Sequence, residues 1–159
     1  MELAVVEARK MTPDTLLDQL EKAWANARGQ RAFPRRADID PAVLRSALPY
    51  AALIDVLPGE RADFRYRLLG QRLIEGFGQN ITGRLHSAFA DKNLASWPLY
   101  EAYKRCVATG TPQDIDHEFR NRNQTPVRMR ARVWPLSDDG KTVTGLFGGG
   151  MFFAAALKA

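Results

Sequence analysis

Residues Leu68–Arg84 read LLGQRLIEGFGQNITGR, and the job of the glycines in this stretch decides which fold surrounds it. Gly78 to Gly83 has the G-x-x-x-x-G spacing of a phosphate-cradling loop, in which Lys and then Ser or Thr should follow. Arg84 and Leu85 stand there instead; leucine cannot ligate magnesium, and no apolar strand ending in Asp lies downstream to offer a second ligand. Read from Gly76 as a dinucleotide fingerprint, G-x-G-x-x-G, the pattern needs glycine where Ile81 stands. The glycines therefore punctuate a turning chain rather than hold a nucleotide.

The segments upstream have clear periods. Thr12, Pro13 and Asp14 open a helix with a hydroxyl cap, a proline in the first turn and an acid near the positive end of the dipole. Gly29 closes it. Leu16, Leu20, Ala23, Trp24 and Ala27 form its apolar stripe, which must dock on its own domain or on a second copy of the chain. A connector with Pro34 and four arginines between Arg28 and Arg36 follows, then a short helix from Asp40-Pro41 to Ala47, ended by Pro49. From Tyr50 the period changes to two. Tyr50 to Leu57 and Asp63 to Leu69 read as a hairpin around Pro58-Gly59-Glu60-Arg61, with Phe64, Tyr66 and Leu68 on one face and Arg65 and Arg67 on the other.

Downstream, Leu73, Ile74 and Phe77 suggest one or two helical turns. A long helix from about Leu94 to Thr109 follows, with Leu99, Ala102, Tyr103, Cys106 and Val107 on one face and Gly110 as its cap. Three strands complete the chain: Gln113 to Asn121, Val127 to Leu136 and Thr142 to Phe153. In the middle one Val127, Met129, Ala131 and Val133 alternate with Arg128, Arg130 and Arg132. This order of elements predicts an α+β fold: a five-stranded antiparallel sheet with flanking helices and an extra N-terminal helix. The expected division is an N-terminal helical segment and connector over 1–47 and the sheet domain over 48–159.

A chain of 159 residues, 45% apolar and 26% charged, is long enough to bury a real core. Its net charge of +5 is carried mostly by arginines and mildly favours acidic partners. One cysteine, no signal-peptide pattern in MELAVVEARK and no long apolar run together imply a cytoplasmic protein without a membrane span.

The sequence of elements resembles a PAS domain from about Leu48 to Phe153. The likeness is strongest in LLGQRLIEGFGQNITGR, whose Ile81-Thr82-Gly83 is similar to the loop that ends the small PAS helices. The lead-in from Trp24 through Pro34-Arg35-Arg36-Ala37-Asp38-Ile39-Asp40-Pro41 to Leu48-Pro49 resembles short bacterial PAS-like proteins with no enzymatic output domain. The resemblance implies a non-catalytic sensory or signal-transduction module that binds a small apolar or aromatic ligand, a protein partner such as a kinase or regulator, or both. It also implies a homodimer through the N-terminal helix. Nothing matches the Asn-Cys-Arg-Phe-Leu-Gln motif of the light-sensing flavin subtype, since Val107-Ala108-Thr109 follow Cys106; the cofactor stays undefined.

Tyr66, Leu68, Leu73, Phe77, Phe89, Tyr100, Tyr103, Phe119, Met129 and Phe147 are the expected lining between sheet and helices, as plain core or as a ligand cavity. Gly145 and Gly149, expected on the same face as Phe147, favour a cavity unless they only let a helix approach. Two other readings stand beside the sensor. One is a small enzyme with a cone-shaped α+β cavity in which Asp55, His86 or His117 does acid–base work; the other is a ligand-free dimerising adaptor. The two histidines lack metal-site spacing, although either could ligate haem, and Cys106 reads as a packed small hydrophobe. The arginines of the second and fourth strands would form a positive outer wall if those strands were near neighbours, unless carboxylates cover them. Nucleic acid is disfavoured, because no binding motif is present and Phe64 and Tyr66 point away from the arginines.

Overall fold

The computed structural model describes residues 11–90 and 96–156, without the side chains of residues 89, 90, 96 and 97. Helix α1 (Pro13–Arg28) is capped by Thr12, whose side chain accepts from the Thr15 backbone N–H, and ends at Gly29, where φ is 60°. Helix α2 (Pro41–Leu44) runs into a 3-10 turn through Tyr50 that contains Pro49. The proline thus sits inside the turn and does not end it. Strands β1 (Ala51–Leu57) and β2 (Asp63–Leu69) form the hairpin. Helices α3 (Gln71–Phe77), α4 (Ser87–Ala90) and α5 (Ser96–Thr109) connect it to β3 (Gln113–Arg120), β4 (Pro126–Leu136) and β5 (Gly145–Ala154). The expected helix start at Leu94 lies outside the described residues.

All five strands join one antiparallel sheet in the order β2-β1-β5-β4-β3. The glycine-rich stretch does more than connect. Gly78 caps α3 in the left-handed region at φ 76°, and Gly83 takes φ 83°, a conformation that glycine adopts without a side-chain clash. The turn returns residues 83–86 along the free side of β2. There Tyr66 N–H donates to Arg84 O, His86 N–H donates to Phe64 O at 2.7 Å, and Arg65 and Leu85 form an antiparallel bridge. That edge of the sheet is covered.

The sheet has a core on each face. Inside, against α3 and α5, lie Ile54, Phe64, Tyr66, Leu73, Leu99, Tyr103, Cys106, Met129 and Val133. Outside, Leu16, Leu17, Leu20 and Trp24 of α1 pack on Ala51, Trp134 and Phe147. The apolar stripe of α1 is therefore spent on its own sheet. Trp24 Nε1 donates to Pro135 O at 2.9 Å, and Trp134 Nε1 donates to the Glu21 carboxylate. Both indole hydrogens thus keep a partner after burial.

Two expectations about the faces are corrected. Tyr66 pairs with Ile54 but Leu68 pairs with Leu53, so Arg67 is an extra residue in β2. A bulge of this kind reverses the alternation. Leu69 points inward in place of Leu68, which lies half-buried on the other side with Leu53. In β5 the phase is also the reverse of the expected one: Leu146 belongs to the inner core, whereas Phe147 is buried against Trp134 under α1. Gly149 shares the face of Phe147, and a β-carbon there would lie 2.3 Å from Leu20 Cδ1. Its missing side chain lets the helix approach.

Candidate functional site

The inner face and its helices border a small, partly open space of about 20 Å³. Tyr66, Leu73, Phe77, Tyr103, Met129 and Gly148 are among its walls, together with Ile54, Leu69, Leu99, Ile115 and Val133. A space of this size exceeds the roughly 10–15 Å³ that one water needs, and it is far below the volume of an ordinary small-molecule pocket.

Tyr66, Tyr103 and Arg132 are the polar residues among its walls. The Tyr66 hydroxyl lies 3.1 Å from His86 Nδ1 and 2.9 Å from the Tyr103 hydroxyl, forming a buried hydrogen-bonded chain of three side chains. The β2 pairing aims His86, because its backbone N–H is fixed on Phe64 O and the next residue, Ser87, donates from backbone and hydroxyl to Asp63. Aromatic rings support the chain: Phe64 meets Tyr103 edge-on at 5.1 Å, and His86 stacks on Tyr100 at 5.7 Å. Burial pushes both the Tyr66 and the Tyr103 phenol above the ordinary tyrosine range. Burial also raises the Asp63 carboxyl, but the hydrogen bonds from Ser87 and Phe64 outweigh it and leave the group below its ordinary value. The phenols stay protonated at neutral pH, and can give or take a hydrogen bond at the wall of a mostly apolar space.

Of the ten expected lining residues, Tyr66, Leu73, Phe77, Tyr103 and Met129 border this space. Tyr100 and Phe119 belong to the same core a little away from it, with the Tyr100 hydroxyl donating to Ala62 O at 2.8 Å. Leu68 and Phe147 are on the far face, and the Phe89 side chain lies outside the described residues. Leu69 escaped notice because a bulge leaves no mark on alternation. His86 was a candidate only for acid–base work or haem, because nothing in its sequence neighbourhood signals burial beside Tyr66; the one clue was its place just after the last glycine of a turn that folds back on β2.

The acid–base residues do not converge. Asp55 faces outward between Arg36, at 3.0 Å, and Arg67. His86 sits beside β2 and His117 on β3, at opposite ends of a sheet whose strands are spaced by about 4.8 Å. No group of three or more His, Cys, Asp or Glu side chains suited to a metal ion occurs among the described residues. Burial pushes the Cys106 thiol up to about 12. A protonated thiol in the core is a poor nucleophile.

The arginines make no continuous wall, because β1 and β5 separate β2 from β4. Arg128 pairs with Asp116 at 2.7 Å, Arg132 with Asp114 at 2.6 Å and Arg130 with Asp14 of α1 at 3.7 Å. Carboxylates cover them. No described helix is long and apolar enough to cross a membrane.

Comparison with known proteins agrees with this architecture. A family model described as a PAS domain matches residues 11–149. Among solved structures, the chain is similar to a light-oxygen-voltage domain studied with a flavin analogue: TM-score 0.53, 11% identity, covering 71% of this chain and 83% of that one. It is also similar to the LOV domain of the photoreceptor Aureochrome1 in its light state (TM-score 0.50, 13% identity, covering 70% and 86%). A third likeness is the LOV domain of a blue-light-activated histidine kinase from Erythrobacter litoralis (TM-score 0.50, 9% identity, covering 67% and 96%). At these identities the likeness is one of fold. No curated protein matches the chain.

Proposed function

The chain belongs to the PAS domain family, and from that premise we propose that it is a non-catalytic sensory module whose input is the inner cavity and whose output is helix α1. The fold supports a signalling role in general; the relation between two consecutive residues of β5 carries the specific reading. Gly148 borders the inner cavity, and Gly149 lies under Leu20 of α1 on the other face. One strand's thickness separates input from output. A close-packed interior transmits a small displacement rather than absorbing it. A ligand that enlarges the cavity shifts β5 and changes how α1 sits, which is a shift between two arrangements biased by differential affinity.

The ligand class follows from the walls: a small apolar or aromatic body with one polar group to meet the Tyr66 and Tyr103 hydroxyls. The output is read by a separate protein such as a kinase or regulator, or by a second copy of the chain. A cytoplasmic location suits the single cysteine of the sequence. Native mass spectrometry of the purified protein, with an absorption spectrum on the same sample, tests the reading. An added mass that leaves on denaturation supports an occupied cavity, and its absorbance separates haem or flavin from a colourless metabolite.

A space of only about 20 Å³ favours a second reading, the ligand-free adaptor with a filled core. A bare mass, with no shift in α1 amide exchange across a library of small aromatics, supports the adaptor instead.

A further inference from the structure

We propose that the free edge of β3 is a docking site for an extended segment of a partner protein in which basic and apolar residues alternate. The two ends of the sheet differ. Residues 83–86 cover β2, whereas among the described residues no strand pairs with the outer side of β3. Alternate residues of β3 consequently direct their N–H and C=O groups away from β4, as an antiparallel edge requires.

The side chains specify what would fit. On the outer face of β3, Asp114, Asp116 and Glu118 recur at every second position and are exposed. Each stands opposite an arginine of β4, in the pairs Asp114 with Arg132, Asp116 with Arg130 and Glu118 with Arg128. Asp114 and Asp116 each form an ion pair with a β4 arginine, yet their side chains remain 68% and 52% exposed, and Arg120 ends the row. A strand added outside β3 would set its own side chains opposite the same three carboxylates, where basic residues are favoured and acidic ones are not. Asp14, Asp18 and Glu21 of α1 line one wall of a groove of about 410 Å³ that also takes in Asp114 and Asp116, with Arg130 and Arg132 of β4 between the two sets of acids. On the inner face Ile115 and Phe119 are buried with half-buried His117 between them, and apolar residues of the added strand would extend that layer. A second copy is a poor occupant. β3 against β3 centred on Asp116 would set carboxylates against carboxylates, Asp114 opposite Glu118 and Asp116 opposite itself.

The probe is a peptide copying Val127–Val133, VRMRARV, because β4 already satisfies the inner side of β3 with this alternation. Added to the isotope-labelled full chain, it is expected to slow exchange of the outward β3 amides by about tenfold or more, an effect that weakens with salt. A peptide with glutamate in place of each arginine, VEMEAEV, is expected to leave those amides unchanged. The chain carrying Asp114→Asn, Asp116→Asn and Glu118→Gln, with unchanged circular dichroism, is expected to bind about tenfold more weakly. The glutamate peptide needs no variant, so the test survives if that chain does not fold. Equal protection by both peptides, protection confined to another element, or no protection of β3 overturns the proposal. So do outward β3 amides that are already protected in the free chain, because the edge would then be held by the chain's own terminal segment or by a second copy.

Discussion

Leu20 of α1 rests directly on the bare backbone of Gly149 in β5, so closely that a β-carbon on the glycine would come 2.3 Å from Leu20 Cδ1 and 2.9 Å from Tyr50 O. The helix is seated by the absence of a side chain. Gly149→Ala is expected to destabilise the fold by about 1–3 kcal/mol through overpacking, measured by denaturant unfolding. Adding Leu20→Ala should make the double variant less destabilised than the sum of the single ones, because the neighbours couple. Additive losses would mean that the two residues do not meet.

Removing the Tyr66 hydroxyl takes a partner from both His86 and Tyr103 inside the core. Tyr66→Phe is expected to cost about 1–3 kcal/mol, the range for removing one partner of a buried hydrogen-bonded group. Tyr100→Phe, whose hydroxyl meets a backbone carbonyl, should cost about 1 kcal/mol. Unfolding curves of the two variants, run side by side, check the order.

The buried phenols also set an alkaline limit. Tyr66 and Tyr103 hold their protons in the folded chain above the ordinary value of 10.0, while the unfolded chain releases them there. This contribution to stability is complete below about pH 10 and falls as pH rises beyond it. Denaturation midpoints from pH 8 upward, with tyrosinate absorbance followed alongside, should show both phenols ionising only as the chain unfolds. Early ionisation in the folded protein would refute the placement.

Cys106, fully buried and with its thiol pushed up to about 12, is expected to resist iodoacetamide in the native protein. Its alkylation should track unfolding as denaturant is added, since only an opened chain exposes the thiol. Rapid labelling without denaturant would contradict the packing of α5 on β4.

The extra residue in β2 makes a residue-by-residue prediction. Leu69→Ala is expected to cost about 2–4 kcal/mol, as inner-core truncations do, and Leu68→Ala about 1 kcal/mol, as for a half-buried site. Unbroken alternation from Phe64 would give the opposite order. Comparing the two unfolding free energies decides it.

These residues mark where the sequence was legible. Helix α1, the hairpin, the arginine alternation of β4 and the turning role of Gly78 and Gly83 were readable, because caps, period and positive φ are local properties. The face of Phe147 was not. It stands in Gly145-Leu146-Phe147-Gly148-Gly149-Gly150, where the glycines carry no polarity and the alternation has no phase. The bulge at Arg67 was equally silent, since a one-residue slip becomes visible only against the partner strand. Strand order was the third gap: the sequence left open whether the arginines of β2 and β4 adjoin, and the sheet order keeps them apart, with carboxylates on those of β4.

The return of residues 83–86 along β2 has an effect on how the molecule behaves in a crowd. One flank of the sheet is sealed by the chain's own backbone, and the other presents a row of carboxylates that repels its own image. Growth by stacking sheet upon sheet has no starting point on the first flank and meets like charge on the second. On the docking proposal a strand is gained on the second flank alone, so the sheet does not run on from both sides into fibres.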